Sequence, residues 1–354
     1  MKGVLALAAL LAGCGHGEPW AFTAVPLHEP LAAGVVTQLT FNAGDDLDPA
    51  WFPDGASFVY TTERRDRDDH DRCLAIMPVA GGTTSALVCQ RAGVSDDSMD
   101  VMEVAAPGPD GRVAFLYSTY DLFRFTSYVT RQLVVAGLDS PLVRRARKAI
   151  FPLRPVGGYA HDGIAEIAWR LPTDLVYLAT LPHFPQPCKT CRPDTATPVQ
   201  IVTADIAGDT AVVTAVPNTV FATSFALQGP DTVYFTLLGD GRIFRRVFST
   251  GAETLVRDFG TGVIVRDVQV AGTRLLAIVG GAAWVELLPG MGYVQYDDGG
   301  PIHLLTLDTG IETVVGAGGR LFRRAALSPD GRTLLAESRN SADEDWDIWK
   351  VSLP

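Results

Sequence analysis

Asp48-Pro49-Ala50-Trp51-Phe52-Pro53-Asp54-Gly55-Ala56-Ser57-Phe58-Val59-Tyr60-Thr61 is the stretch that decides the fold. Its centre is a turn. Pro53 pre-sets φ, Asp54 can bond back to nearby amides, and Gly55 takes the φ > 0 position. Aromatic and β-branched residues follow, as in a strand. The same turn recurs at Pro109-Asp110-Gly111, before Val113 to Leu116, and at Pro329-Asp330-Gly331, before Leu334 to Glu337. Weaker copies are Pro172-Thr173-Asp174, Gly229-Pro230-Asp231 and Ala271-Gly272-Thr273, each before an apolar run. The turn centres at 54, 110, 173, 230, 272 and 330 lie 42 to 63 residues apart. Self-similarity at such a period marks a stack or ring of like units.

Further strands follow within the repeats. In the first, Leu74 to Met77 precedes Ala86 to Val88; in the fifth, His303 to Leu307 precedes Glu312 to Val315. Four strands per repeat, a to d, make a blade. The last repeat runs out of chain after strand c, Trp346 to Leu353, while Val35 to Leu39 stands as an orphan strand before the first repeat. An open sheet edge leaves backbone groups unpaired, so the orphan is expected to supply the missing strand d. The pattern predicts an all-β fold: a six-bladed β-propeller of four-stranded antiparallel blades, closed by an N-terminal strand that completes the last blade.

The first repeat, with Leu39-Thr40 ahead of Asp48 to Gly55, and the last, with Leu327 to Arg332, Ser338-Arg339-Asn340 and Asp347-Ile348-Trp349, resemble the TolB-type (WD40-like) propeller repeat. The resemblance spans residues 35–354 and is carried by motifs at the two ends. It implies a six-bladed propeller acting in the bacterial periplasm through protein contacts. TolB itself has an α/β domain ahead of its propeller, and residues 15–34 are too few for one. The fold is therefore carried over, and not the role in the Tol machinery.

Residues 1–13 read as a lipoprotein signal peptide: Lys2, the apolar run Val4 to Leu11, then Leu11-Ala12-Gly13-Cys14. The run is too short to span a bilayer. Cys14 is the expected lipidation site, and residues 14–34 the tether to a propeller at 35–354. This places the chain in the bacterial cell envelope, lipid-anchored, on the periplasmic side. Four cysteines remain, an even number that suits an oxidising compartment. Cys188 and Cys191 are expected to close a small disulfide loop. Cys73 and Cys89 lie eight residues either side of Gly81 and would face each other across a hairpin.

The net charge of −11 argues against nucleic acid, which requires clustered cations. The basic run Arg144 to Lys148 reads as a charged outer strand that blocks edge pairing. Strand alternation puts the a–b and c–d turns on one face and the b–c and d–a connections on the other. The long segments 63–72, 119–130, 181–198 and 280–300 are all b–c loops, so that face is the expected binding face. Tyr120, Phe123, Phe125, Tyr128, Phe184, Trp284, Tyr293 and Tyr296 are its candidate partner-binding residues, since aromatics give large area at low entropic cost. The expected partner is an envelope protein or a peptidoglycan-associated one, met by a monomer. Asp45, Asp46, Asp48, Asp96, Asp97 and Asp100 would make the channel mouth acidic and attractive to cations. Asp66, Asp68, Asp69 and Asp71 are spaced as Ca²⁺ ligands, but without the glycine and glutamate of an EF-hand loop. No other cofactor is expected. No catalytic motif is found, and no residue is assigned a catalytic role. A non-catalytic binding module is the expectation. The alternative is a metal-dependent propeller hydrolase or lyase, its site at the central channel with His161, His183 or His303.

Overall fold

A computed structural model describes residues 36–41, 43–63, 72–82, 86–88, 98–108, 111–121, 127–137, 164–171, 173, 175–180, 201–205, 212–217, 219, 222–237, 239–281, 284–286, 293–295, 299–315, 321–339 and 344–354. The chain is all-β there. Strand β1 is Val36–Gln38. Then come β2 (Asp46–Trp51), β3 (Ser57–Glu63), β4 (Arg72–Pro78), β5 (Ala86–Val88), β6 (Ser98–Pro107), β7 (Arg112–Asp121) and β8 (Ser127–Gly137). Four antiparallel strands follow as β9 (Ile164–Arg170), β10 (Leu175–Thr180), β11 (Ile201–Asp205) and β12 (Val212–Ala215). A similar set is β13 (Ala222–Gln228), β14 (Thr232–Leu237), β15 (Arg242–Val247) and β16 (Glu253–Asp258). The next sheet joins β17 (Val263–Ala271), β18 (Arg274–Gly281), β21 (Ile302–Thr306) and β22 (Glu312–Val315). Between β18 and β21 the chain makes a separate ribbon, β19 (Trp284–Glu286) with β20 (Tyr293–Gln295).

The last sheet is ordered β1, β25 (Asp347–Ser352), β24 (Thr333–Ser338), β23 (Phe322–Leu327). The orphan strand thus docks where the repeat lacks its fourth member, with Val36 opposite Val351 and Gln38 opposite Trp349. Side chains lock the join. Gln38 Nε2 donates to Asp347 Oδ2 at 2.8 Å, and Thr40 Oγ1 donates to Asp347 Oδ1 at 3.2 Å. The amide of Ile348 donates to Thr40 Oγ1 at 2.9 Å. Leu39 is buried among Phe58, Tyr60, Leu335 and Ile348, which ties the first sheet to the last.

Among the described residues four sheets have four strands, not six. The first two repeats share one seven-stranded sheet, because Arg72 of β4 and Val101 of β6 make a parallel pair that joins two antiparallel sets. The turns behave as their chemistry requires. Gly55 and Gly331 have φ of 68° and 70°, a region that costs a side chain about 1 kcal/mol or more. Asp54 Oδ1 accepts from the Ala56 amide, and Asp330 Oδ1 from Arg332.

The ring is visible in the first strands of the sets. β2 touches β6, β6 touches β9, and the sequence continues through β13, β17 and β23 back to β2. Apolar clusters fill the gaps between neighbours. Ile167, Trp169 and Val176 of one sheet meet Ala114, Leu116 and Leu133 of the previous one. Tyr234 and Ile243 similarly meet Val265, Val268 and Leu275. Facing sheets that each bury one side against the next are the propeller solution to packing.

Candidate functional site

Every first strand carries an irregularity in its pairing. The register slips between Leu47 and Ala50 in β2, Glu103 and Ala106 in β6, Ala222 and Ser224 in β13, Val265 and Asp267 in β17, and Phe322 and Ala325 in β23. In β9 it falls where Glu166 pairs with Ala179 but Ile164 with Thr180. A bulge frees an amide from the ladder and re-aims a side chain. Asp48 and Val104 show this at its strongest, with φ of 50° and 54°, rare for side-chain-bearing residues.

Each freed amide must find an acceptor, and the adjoining sheet supplies it. Glu337 Oε1 accepts from the Asp48 amide at 2.6 Å. Asp48 Oδ2 accepts from Val104 at 3.4 Å. Glu166 Oε2 accepts from Phe225 at 2.8 Å, and Ser224 Oγ from Val268 at 3.0 Å. Asp267 Oδ2 accepts from Ala325 at 2.6 Å. The polar side chains form a girdle that stitches sheet to sheet around the channel. Indoles add to it: Trp51 Nε1 donates to Ala326 O at 2.8 Å and Trp169 Nε1 to Ala106 O at 2.7 Å.

The remaining carboxylate oxygens are also engaged. Gln269 Nε2 donates to Glu166 Oε1 and to Asp267 Oδ1. Arg323 Nε donates to Glu337 Oε2 at 2.7 Å, and Arg324 Nε lies 3.5 Å from Asp48 Oδ1. Burial in this setting works against charge. It pushes the Glu166 carboxyl up to about 8, with the Asp267 charge adding to the shift. Asp267 and Glu337 are raised for the same first reason. Asp48, Asp267, Glu166 and Glu337 hold the Arg324 cation more firmly than usual, outweighing the cost of its partial burial.

Two cavities meet at the girdle. One of about 340 Å³ runs toward the a–b turns, lined by Glu166, Asp267 and Gln269 together with Trp51, Trp169 and Phe225. The other, of about 330 Å³, opens on the b–c and d–a face, lined by Asp45, Leu47, Arg72, Arg323 and Glu337. Asp48 and Arg324 line both, so their ion pair is the partition between them.

Of the acidic residues expected at the mouth, Asp45 and Asp48 are there, but they share it with three arginines. Asp46 is buried. Asp100 lies in β6, and Asp96 and Asp97 lie outside the described residues. Tyr120 and Tyr128 do not belong to a loop. They pair across an extended β7–β8 hairpin, because the alternation of strand-forming residues runs on past the expected end. Trp284 and Tyr293 likewise sit on the β19–β20 ribbon. Phe123, Phe125, Phe184 and Tyr296, the metal candidates Asp66, Asp68, Asp69 and Asp71, and Cys14, Cys89, Cys188 and Cys191 lie outside the described residues, as do His161, His183 and Arg144 to Lys148. Cys73 is buried on β4. His303 does not line the channel. It is on β21, third strand outward, with Nδ1 2.6 Å from Glu312 Oε1 and its ring against Phe259. Among the described residues no group of three or more His, Cys, Asp or Glu is placed to hold a metal ion, and no helix is long and apolar enough to cross a membrane.

An all-β ring of antiparallel sheets around a channel is a β-propeller arrangement. A solved structure of a luciferin-regenerating enzyme is similar to it, with 11% identity and a TM-score of 0.52, over 90% of this chain and 95% of that one. Likeness at this identity speaks for the shared propeller fold alone. No protein-family model and no curated protein matches the chain.

Proposed function

We propose that the chain is a lipid-tethered, six-bladed propeller of the TolB type that binds an envelope partner and performs no reaction in its channel. The observation that carries this is the girdle. Both oxygens of Glu166, Asp267 and Glu337 and one oxygen of Asp48 are bonded to amides or side chains of the ring itself, and the other Asp48 oxygen faces Arg324 at 3.5 Å. A carboxylate spent on holding the scaffold is a poor general base or metal ligand, which needs an oxygen turned to substrate. The count of six is supported by the cycle of first strands and by apolar clusters between each successive pair of strand sets. Export and tethering rest on the leader ending at Cys14, and the choice of face on the aromatic-rich long segments that the sequence assigns to the b–c side.

Cross-linking in intact cells tests the reading. A discrete envelope partner should be captured, and lost when Phe123, Phe125 or Trp284 is changed to Ala. Capture indifferent to all three changes would remove the b–c face from the reading. A cytoplasmic protein without acyl chains would remove the tether.

A second reading, a hydrolase or lyase, is favoured by one observation. Glu166 and Asp267 are two buried acids bridged by Gln269 beside a cavity, a setting in which a raised carboxyl serves catalysis. Turnover of ester or lactone substrates that disappears in Glu166→Gln would move the assignment there.

A further inference from the structure

The cavity on the b–c side has a surplus of donors. It is lined by three carboxylates, Asp45, Asp48 and Glu337, and three guanidiniums, Arg72, Arg323 and Arg324. The carboxylates are occupied. Asp45 Oδ1 accepts from the Trp346 amide at 3.0 Å, and Asp48 and Glu337 belong to the girdle. Two of the three guanidiniums are less so. Arg72 reaches Glu103 only at 3.7 Å and Arg324 reaches Asp48 only at 3.5 Å, at or beyond the hydrogen-bond limit. Each guanidinium carries five N–H donors in a planar fork. About a third of each of these two side chains is exposed, 31% for Arg72 and 32% for Arg324. Both line the same 330 Å³ space.

We infer that this basin binds a carboxylate group, held in the forks of Arg72 and Arg324. A planar carboxylate accepts two parallel N–H bonds from a guanidinium, which a point-like ammonium cannot offer. Arg72 stands on β4 and Arg324 on β23, so the forks are presented on strands and not on loops. This modifies the acidic-mouth expectation: the acids are present, but they bond to the scaffold, and Arg72 and Arg324 share the space with them. The inference deepens the binding reading and rests on it for the choice of face. The carboxylate belongs either to a free small acid or to an acidic side chain of the partner.

Calorimetry on the full chain with succinate, triglutamate and trilysine tests it. Succinate or triglutamate should bind, trilysine should not, and Arg72→Gln should weaken binding about 10-fold or more, as expected when a charge-assisted bond is lost. Arg72→Lys should recover only part of the loss. Arg72 is at the rim, so its variants report even if Arg324→Gln fails to fold. Equal binding of succinate points to a free acid, and binding of triglutamate alone to a partner side chain. The inference is overturned if neither acid binds, if Arg72→Gln binds as the parent does, or if trilysine is preferred. Carboxylate failure with envelope capture intact would sink this site and leave the binding module standing; carboxylate binding without any captured partner would do the opposite.

Discussion

Glu166 and Asp267 share one amide: Gln269 Nε2 donates to the first at 3.2 Å and to the second at 3.1 Å. They stand on β9 and β17, with β13 between them in the ring. Two buried acids this close cannot both ionise cheaply.

Stability should therefore fall as the medium becomes alkaline. Burial first, and the Asp267 charge second, push Glu166 up to about 8 from 4.5. The folded chain binds this proton more tightly than the unfolded chain does. The contribution is complete below about 4.5 and is lost as pH rises through about 8. Asp347 is pushed up to about 8 by burial and by Asp46, and Asp267 and Glu337 shift the same way. Thermal melts should show a lower midpoint near pH 9 than near pH 6, following the linkage slope. Glu166→Gln, always neutral, should flatten the difference; an unchanged profile would dismiss Glu166 as a contributor.

Leu39 follows the closing strand and is 3% exposed, packed on Phe58 and Ile348. Leu39→Ala should cost about 2–5 kcal/mol in urea unfolding, the range for emptying a buried leucine site. An exposed residue of the same kind, Leu255 at 54%, should tolerate the change. Equal costs would contradict the closure by residues 36–39.

Gly108 lies against Trp169: a Cβ added there would sit 2.3 Å from the indole ring. The same indole donates to Ala106 O. Gly108→Ala should push the ring out, break that bond and cost about 1–3 kcal/mol or more. Trp169→Phe should leave the Ala106 carbonyl without its donor and cost about 1–3 kcal/mol. Combining the two should cost less than their sum, because both act on one contact. Chemical denaturation of the three variants measures this.

The β4–β5 register sets Leu74 opposite Val88. If that register ran on by one step beyond the described pairs, Cys73 would meet Cys89, and we expect a disulfide there. Alkylation of the denatured protein without reductant should leave Cys73 unmodified after export to an oxidising compartment. Reduction should destabilise the chain by about 3 kcal/mol for a loop of this size. Free thiols at both positions would refute the pairing.

The all-β propeller arrangement is legible in the sequence because its signals are local. The Asp54 and Asp330 turns are written within a few residues, and the orphan strand was visible as a run without a neighbour. The girdle was not readable. Glu166, Asp267 and Arg324 come from separate repeats, and their meeting depends on bulges that shift which way a side chain points. A local trace did exist: Glu166 interrupts Ile164-Ala165-Glu166-Ile167-Ala168, and Asp267 interrupts Val263 to Val270. A charge inside an apolar inner strand asks for a partner. The extended β7–β8 hairpin departs from the loop expected at 119–130, because strand-forming residues carry the pairing on to Asp121 and Ser127.

Sharing one sheet between residues 36–38 and 347–352 also fixes an order of events. During synthesis or export the earliest of these segments must wait, without its neighbour, until the latest has emerged. A nascent chain short of residue 347 has no mate for β1, whatever its other sheets have achieved. A pause anywhere between these two segments would therefore lengthen the life of an unsealed intermediate by the same interval.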